Sequence, residues 1–246
     1  MGVNALPNDF FVALAHDLNY FSADGLQPVT TDSVLLAAFA AEKLDQKRRV
    51  VCDLFAGSGL LSLLAARRSP RIALTGIDID ENACRLYRKN AAENGLTERM
   101  TAICRDAAAL KGQGLDGRFD AVIANPPYFS VGRGAASPDP TRQTVRQGCS
   151  LEMMADAAAL LLKNGGTLFL CYPAERMAEL ICALSARGLI PKRLRMVAHT
   201  AEKRPAIVLL EAVKGAAHGL ICEKPLIQYE KNGDMTADCA AMYALP

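Results

Sequence analysis

The chain has no Cys-x-x-Cys pair. Its eight cysteines (52, 84, 104, 149, 171, 182, 222 and 239) are scattered, and none has a histidine partner at metal-ligand spacing. That excludes a zinc framework and points to reduced, mostly buried thiols in a cytoplasmic protein rather than a disulfide scaffold. No apolar run reaches membrane-spanning length, and residues 1–11 lack the basic-then-apolar pattern of an export signal, so no membrane partner is expected. Strong charge imbalance is also missing. A net charge of +2 does not announce a nucleic-acid binder, so any basic face has to be local. Internal repeats, low-complexity tracts and clear domain boundaries are absent too. What is present is 246 residues, 51% hydrophobic, enough for one large globular domain or two small ones.

Apolar runs alternate with helical periodicity along most of that length. Residues 49–55 read as a buried strand, Ala56-Gly57-Ser58-Gly59 as the turn after it, and 60–68 as a helix. Further strands are expected at 72–77, 100–104, 119–124, 167–172, 192–198 and 206–213, seven in all. Helices are expected at 81–94, at 151–163 and between Pro173 and Gly188. Asp80 and Ser150 read as N-caps, and Gly95 and Asn164-Gly165-Gly166 as helix stops. Thr30-Thr31-Asp32-Ser33 ahead of an Ala-rich apolar run is another helix start, or a group that closes over a ligand. Residues 1–29 are the least legible: a helix followed by an extended segment. An Asn232-Gly233 turn predicts a hairpin or extended edge near the other end. Strands alternating with helices imply a mostly parallel sheet covered on both faces, with ligands at the strand C-termini.

Four residues at one such terminus organise the chemistry. Asn125-Pro126-Pro127-Tyr128 follows the strand at 119–124, and two prolines stop the strand there because they cannot donate to a ladder. The tip therefore offers an amide side chain, a carbonyl and an aromatic ring. The Asn125 oxygen and the Pro126 carbonyl can each accept one hydrogen of an exocyclic amine while Tyr128 lies on the flat face. At the first strand, Gly57 and Gly59 let a ligand approach the backbone, and the helix N-terminus follows. Asp53 beside them favours a cationic ligand over a polyanion. Asp78, about 20 residues past the glycines, suits two ribose hydroxyls. Asp106 suits the amino hydrogen of an adenine, or is a plain turn acid. The loop at 129–148 carries Arg133, Arg142 and Arg146 and reads as a substrate lid. Between 187 and 204, Arg187, Lys192, Arg193, Arg195, Lys203 and Arg204 face one acid, Glu202, forming a phosphate-contacting stripe or a solvated face.

Up to Asp78 this pattern fits a nicotinamide dehydrogenase as well as a methyltransferase. The Asn-Pro-Pro-Tyr tip separates them, since hydride transfer needs no pair of amine acceptors. Asp53-Leu54-Phe55-Ala56-Gly57-Ser58-Gly59, Asp78, Asp106 and the tetrad resemble the S-adenosylmethionine motifs of class I amino-methyltransferases. More narrowly, four segments resemble the bacterial tRNA1(Val) adenine-37 N6-methyltransferase family: Thr31-Asp32-Ser33-Val34-Leu35-Leu36-Ala37, Pro191-Lys192-Arg193-Leu194-Arg195, the run from Val208 to Gly215, and the closing Tyr229, Gly233, Thr236 and Tyr243. The resemblance covers roughly residues 28–243. It departs from the family where Arg146-Gln147-Gly148 stands in place of Arg-His-Glu.

The resemblance implies an α/β, Rossmann-like class I methyltransferase fold: a mostly parallel seven-stranded sheet with helices on both faces and an antiparallel C-terminal strand. Residues 1–31 would be an N-terminal extension or cap, and 32–246 the methyltransferase domain. S-adenosylmethionine is the implied cofactor, contacted by Thr31, Asp32, Asp53, Phe55, Gly57, Ser58, Gly59, Asp78, Ile79, Asp106, Ala107 and Asn125. Asn125, Pro126, Pro127 and Tyr128 would be catalytic, and Phe129, Arg146, Lys192, Arg193 and Arg195 would meet a tRNA substrate. The implied protein is a cytoplasmic monomer without a metal. Rival readings are an N5-methyltransferase of a protein glutamine, a guanine N2-methyltransferase of ribosomal RNA, and a catalytically silent RNA-binding module. A helical domain ahead of the glycine turn, usual in the first rival, has no room here, and the tetrad of the second usually ends in Phe.

Overall fold

Seven strands of alternating apolar residues lie side by side in the computed structural model, which describes residues 9–14, 18–23, 26, 30–44, 49–126 and 150–245. In chain order, a hairpin of β1 (Asp9–Leu14) and β2 (Leu18–Ala23) precedes α1 (Thr31–Leu44). Then follow β3 (Arg49–Leu54), α2 (Leu60–Arg68), β4 (Ile72–Asp78), α3 (Glu81–Glu93) and β5 (Met100–Cys104). The second half holds β6 (Phe119–Ala124), α4 (Leu151–Leu161), β7 (Leu162–Pro173), α5 (Met177–Ser185), β8 (Leu189–Ala198) and β9 (Ile207–Lys214). Two short strands, β10 (Ile221–Cys222) and β11 (Leu226–Ile227), and α6 (Ala237–Tyr243) close it.

The spatial order is β10-β8-β9-β7-β6-β3-β4-β5, with β11 also on β8. All neighbours are parallel except β9, which runs antiparallel between β7 and β8. This is the expected seven-stranded pattern with its late antiparallel strand, extended by two short strands at the edge. Both faces are covered, and period-2 side chains divide between them. Val51, Ala121, Ile123, Phe169 and Cys171 pack under α1 and α2. Cys52, Leu54, Val122, Leu168 and Leu170 pack under α4 and α5.

Local signals set several element ends as expected. Asp80 caps α3 by accepting from the Asn82 and Ala83 N–H groups at 2.8 and 3.3 Å, and Ser150 caps α4 by accepting from Met153 N at 3.1 Å. Two expectations fail. The first apolar patch is a strand, not a helix: β1 pairs antiparallel with β2 from Asp9↔Ala23 to Leu14↔Leu18. Asn164-Gly165-Gly166 does not stop a helix; α4 already ends at Leu161, and these residues form a bulge inside β7. Phe119 of β6 faces Leu162 while Ala121 faces Thr167, so the bulged strand carries the extra residues. The turn expected at Asn232-Gly233 does close a short hairpin, in which Tyr229 bridges Met235 antiparallel, and the chain then forms α6, capped by Thr236 on Cys239 N at 3.2 Å.

The basic stripe at 192–195 is largely part of this framework. Arg193 is buried, and its guanidinium pairs with Glu211 at 2.8 Å, Glu223 at 3.2 Å and Glu42, donates to the Phe39 carbonyl and lies over the Phe39 ring. Arg193 is therefore not an RNA contact; its charge is spent tying β8 to β9 and α1. Arg195, half-buried, donates to the Lys224 carbonyl and faces Asp238, which holds α6 in place. Arg193→Ala strands the buried Glu211 and should lower unfolding free energy by roughly 3–5 kcal/mol, read from urea denaturation. Arg195→Ala, whose acidic partner is exposed, should cost well under half of that.

Candidate active site

Strand order decides where the site lies. From β3 the chain moves outward through β4 and β5, then returns to the other side of β3 as β6. A crevice opens at such a switch point, beyond the carboxyl ends of the two strands. Leu54 lies opposite Ala124, so the turn leaving β3 and the tip leaving β6 are adjacent. They enclose a solvent-open cleft. Asp53, Phe55, Gly57, Ser58 and Asn125 line it, as do Tyr20 and Ser33.

The turn is strained and firmly held. Phe55, Gly57 and Gly59 all have positive φ, at 64°, 53° and 89°; for Phe55 this costs about 1–3 kcal/mol. The Phe55 and Ala56 N–H groups donate to the Ile77 carbonyl at 2.9 and 3.1 Å. Asp78 accepts from Gly57 N at 2.8 Å and, through its other oxygen, from Asp80 N at 3.0 Å. The Ser58 carbonyl accepts from Asn90 Nδ2 at 2.7 Å, and its hydroxyl meets the Tyr20 hydroxyl at 2.5 Å. A Cβ on Gly57 would meet nothing within 4 Å, which fits close approach of a ligand. Gly59 differs from expectation: a Cβ there would lie 2.6 Å from the Tyr87 ring, so packing, not ligand approach, requires this glycine.

Residues 18–23 form one wall through an unusual pairing. Asn90 Oδ1 accepts from Phe21 N at 2.7 Å and its Nδ2 donates to the Phe21 carbonyl at 2.9 Å. One turn along α3, Asn94 does the same to Asn19, at 2.9 and 2.7 Å. Two asparagine side chains thus act as a strand would, satisfying the edge of β2 and pressing Tyr20 onto the glycine turn.

Asp53 is buried on the same face as the turn. Burial pushes its carboxyl up to about 7; the hydrogen bond from Ser62 Oγ, at 2.7 Å, opposes this, and the nearby Asp78 charge adds to it. Ser62 in turn accepts from the Tyr87 hydroxyl at 2.8 Å. Burial also raises Asp78, against the N–H donors from Asp80 and Gly57. Among the described residues no basic side chain lines the cleft. An acid-lined cleft without a cation suits a ligand with positive charge and does not suit a pyrophosphate. S-adenosylmethionine, cationic at its sulfonium and amino groups, fits this donor set. Asp53 and the turn would hold its charged end, and Asp78, whose oxygens keep further lone pairs, its ribose.

At the acceptor side, Asn125 and Pro126 are buried at the β6 tip, and Asn125 Nδ2 donates to Ser33 Oγ at 3.1 Å. Pro127, Tyr128, Phe129 and Arg146, with the lid expected at 129–148, lie outside the described residues. Of the other expected contacts, Ile79 is a large apolar side chain left 43% exposed at the β4 tip. Ala107 opens a short 3-10 turn capped by Asp106, which accepts from Ala108 N at 2.9 Å; that is the turn-acid role. Thr31 and Asp32 sit in the first turn of α1, where Thr31 hydrogen-bonds Tyr243 and burial raises the Asp32 carboxyl. Lys192 is half-buried, with Nζ donating to the Ala217 carbonyl. Among the described residues no cluster of three or more His, Cys, Asp or Glu could hold a metal, and no helix is long and apolar enough to cross a membrane.

The methyltransferase small domain family model matches residues 12–184. A tRNA1(Val) (adenine(37)-N6)-methyltransferase of Porphyromonas gingivalis is 30% identical over 209 residues, covering 84% of this chain and 81% of its own. The enzyme of the same name from Aeromonas hydrophila is 33% identical over 190 residues, covering 76% and 77%. This chain belongs to that family. Solved structures agree on the fold. A protein of Agrobacterium tumefaciens described as a predicted O-methyltransferase superposes with TM-score 0.70 at 22% identity, covering 86% of this chain and 95% of its own. The Thermus thermophilus 16S rRNA N2 G1207 methyltransferase, in complex with AdoMet and guanosine, superposes with TM-score 0.59 at 23% identity, covering 87% and 52%.

Within this methyltransferase fold, sequence reasoning missed Tyr20, Ser33, Ser62, Tyr87, Asn90 and Asn94. Only Ser33 carried a local signal, as part of the helix start; the others act across 9 to 75 residues. Asp53 gives a testable pH dependence. Its folded value is raised, so its contribution to stability is full below the ordinary carboxylate range and is lost as pH rises through about 7. The melting temperature should therefore fall between about pH 4 and 7 and level off above that, and Asp53→Asn should flatten that fall. A cationic donor favours ionised Asp53, so calorimetric affinity for S-adenosylmethionine should rise from about pH 6 to 7.5 in the wild type. In Asp53→Asn the affinity should be weaker and nearly independent of pH.

Proposed function

We propose that this protein transfers a methyl group from S-adenosylmethionine to the exocyclic N6 amine of an adenine in RNA, namely adenine 37 of tRNA1(Val). The observation that carries the reading is the placement of Asn125 at the β6 tip, buried on the wall of the same cleft as the glycine turn. The relatives from P. gingivalis and A. hydrophila bear the name of that reaction.

When bound, S-adenosylmethionine supplies a methyl group that is already strongly electrophilic. The chain's own task is to prepare the nitrogen. An adenine amine is a poor nucleophile because its lone pair is delocalised into the ring. Asn125 Oδ1 and the Pro126 carbonyl accept its two hydrogens, which favours a pyramidal nitrogen with the lone pair aimed across the switch point. Positioning and fixed dipoles do this work, and no strong base is required. Asp53, close to its point of titration, is buried beside Ser62 and faces the donor side. The target base leaves its stack to reach the tip; stacking on Tyr128, helped by Phe129, would contribute roughly 1–3 kcal/mol. Arg146 and Lys192 remain as RNA contacts in this reading, while Arg193 does not. Residues 1–31 act as a cap on the methyltransferase domain, and the protein works as a monomer in the cytoplasm.

Labelled S-adenosylmethionine and unmodified bulk tRNA, followed by nucleoside analysis, should give N6-methyladenosine. A label found in protein, or on guanine, would replace this reading by one of its rivals. Asn125→Ala should lower transfer by roughly a hundred-fold or more with donor affinity nearly kept. Asp78→Ala should do the reverse, weakening calorimetric donor binding most.

A further inference from the structure

We propose that Tyr20 is a positioning residue for the methyl donor: its hydroxyl, carried on a strand outside the main sheet, holds Ser58 so that the glycine turn keeps its binding-competent shape. This rests on the reading of that turn as the donor's seat.

The turn carries positive φ at Phe55, Gly57 and Gly59, and Phe55 pays for a Cβ in that region. Such a shape has to be held from outside. The Ile77 carbonyl takes the Phe55 and Ala56 N–H groups, and Asp78 takes that of Gly57. Ser58 is held by two groups that do not belong to the sheet tips. Asn90 Nδ2 donates to its carbonyl at 2.7 Å, and the Tyr20 hydroxyl lies 2.5 Å from its Oγ. The bond joins strand and turn whichever of the two hydroxyls donates. Both residues line the cleft and are nearly excluded from solvent, so a lost partner leaves a desolvated hydroxyl behind.

Asn90 refers both bracing groups to one side chain. Its Nδ2 hydrogens go to the Phe21 and Ser58 carbonyls, and its Oδ1 accepts from Phe21 N. Backbone N–H groups only donate and carbonyls only accept, so these partners fix which way the amide points. Asn94 clamps Asn19 in the same manner. Tyr20 therefore stands between two backbone-clamped neighbours, and its place against Ser58 is set by α3 rather than by the hairpin alone. Ser22 also lies near the Tyr20 hydroxyl, but it belongs to β2 and not to the turn. When fewer molecules hold the turn in the competent shape, apparent donor affinity falls by that fraction, while the transfer step of the occupied enzyme is unchanged. Tyr20 touches no reacting atom in this scheme; it acts through Ser58.

The test compares wild type, Tyr20→Phe, Ser58→Ala and the double variant. It reads calorimetric affinity for S-adenosylmethionine, single-turnover transfer to unmodified tRNA1(Val) at saturating donor, and urea unfolding. Tyr20→Phe keeps the ring and should weaken donor affinity by roughly five- to twentyfold. Its transfer rate at saturating donor should stay within about twofold of wild type. Ser58→Ala should weaken affinity at least as much, and the double variant should bind like Ser58→Ala alone, because the Tyr20 hydroxyl then has nothing to hold. A tyrosine that only packs the fold would lower the urea midpoint and leave donor affinity within about twofold of wild type; that result overturns the proposal. So does a double variant whose two losses multiply, since Tyr20 would then not act through Ser58. A Tyr20→Phe that slows transfer at saturating donor as much as it weakens binding overturns it as well. Failure of the underlying reading looks different: Asp78→Ala and Ser58→Ala would then both bind the donor as the wild type does.

Discussion

Everything at the site depends on β3 and β6 lying in register beside each other. Val51 of β3 and Ile123 of β6 face the α1–α2 side, so Asp53 and Asn125, two residues further on, face it too. Alternation makes this a sharp constraint, because a slip of one residue in either strand would carry its polar residue to the opposite face. The apolar register that packs the sheet is thus the same register that brings acid and amide into one cleft. The chain departs from these two strands in opposite lateral directions, which opens a crevice beyond their ends.

The turn that occupies this opening is costly in isolation. It contains a phenylalanine at positive φ, a buried acid raised to about 7 and a second raised acid nearby. Compensation comes from partners far away in sequence. Asp78 holds the Gly57 N–H, Asn90 the Ser58 carbonyl, Tyr20 the Ser58 hydroxyl, and Tyr87, through Ser62, the Asp53 carboxylate. A cationic ligand would relieve the largest remaining penalty, the charge on Asp53. The burial that raises Asp53 also makes its interaction with a bound cation strong.

What was legible in the sequence was what is encoded locally. The strands at 100–104 and 119–124 and the helix at 60–68 are bounded as their periodicity predicts, since both faces of the sheet are buried. The caps at Asp80 and Ser150 work through hydrogen bonds to residues two or three positions on. The end of β6 ahead of Asn125 was legible because two prolines after a strand leave few structural alternatives. Partners distant in sequence were hidden. Arg193 looked like a member of a surface stripe because its three acids come from positions 42, 211 and 223. Gly59 looked like a ligand glycine because Tyr87 stands 28 residues away. The strand at 9–14 was misread for a related reason: its hairpin partner is secured by asparagines at 90 and 94, which nothing near residue 20 announces.

The segment least legible in sequence therefore touches both halves of the reaction. Tyr20 reaches the donor turn, and Ser33, where the same stretch of chain enters α1, reaches the acceptor amide. A reaction that needs no strong base gains its rate from orientation, so groups that only orient carry much of the catalytic requirement. Such groups need not be invariant in chemistry; they need to be in place when donor and acceptor are. Tyr20 is held in place because Asn90 and Asn94 fasten its neighbours Phe21 and Asn19, so a displacement of β2 would loosen the glycine turn. The Asn90 and Asn94 side chains hold the backbone of this N-terminal strand, which lies outside the main sheet, through four hydrogen bonds.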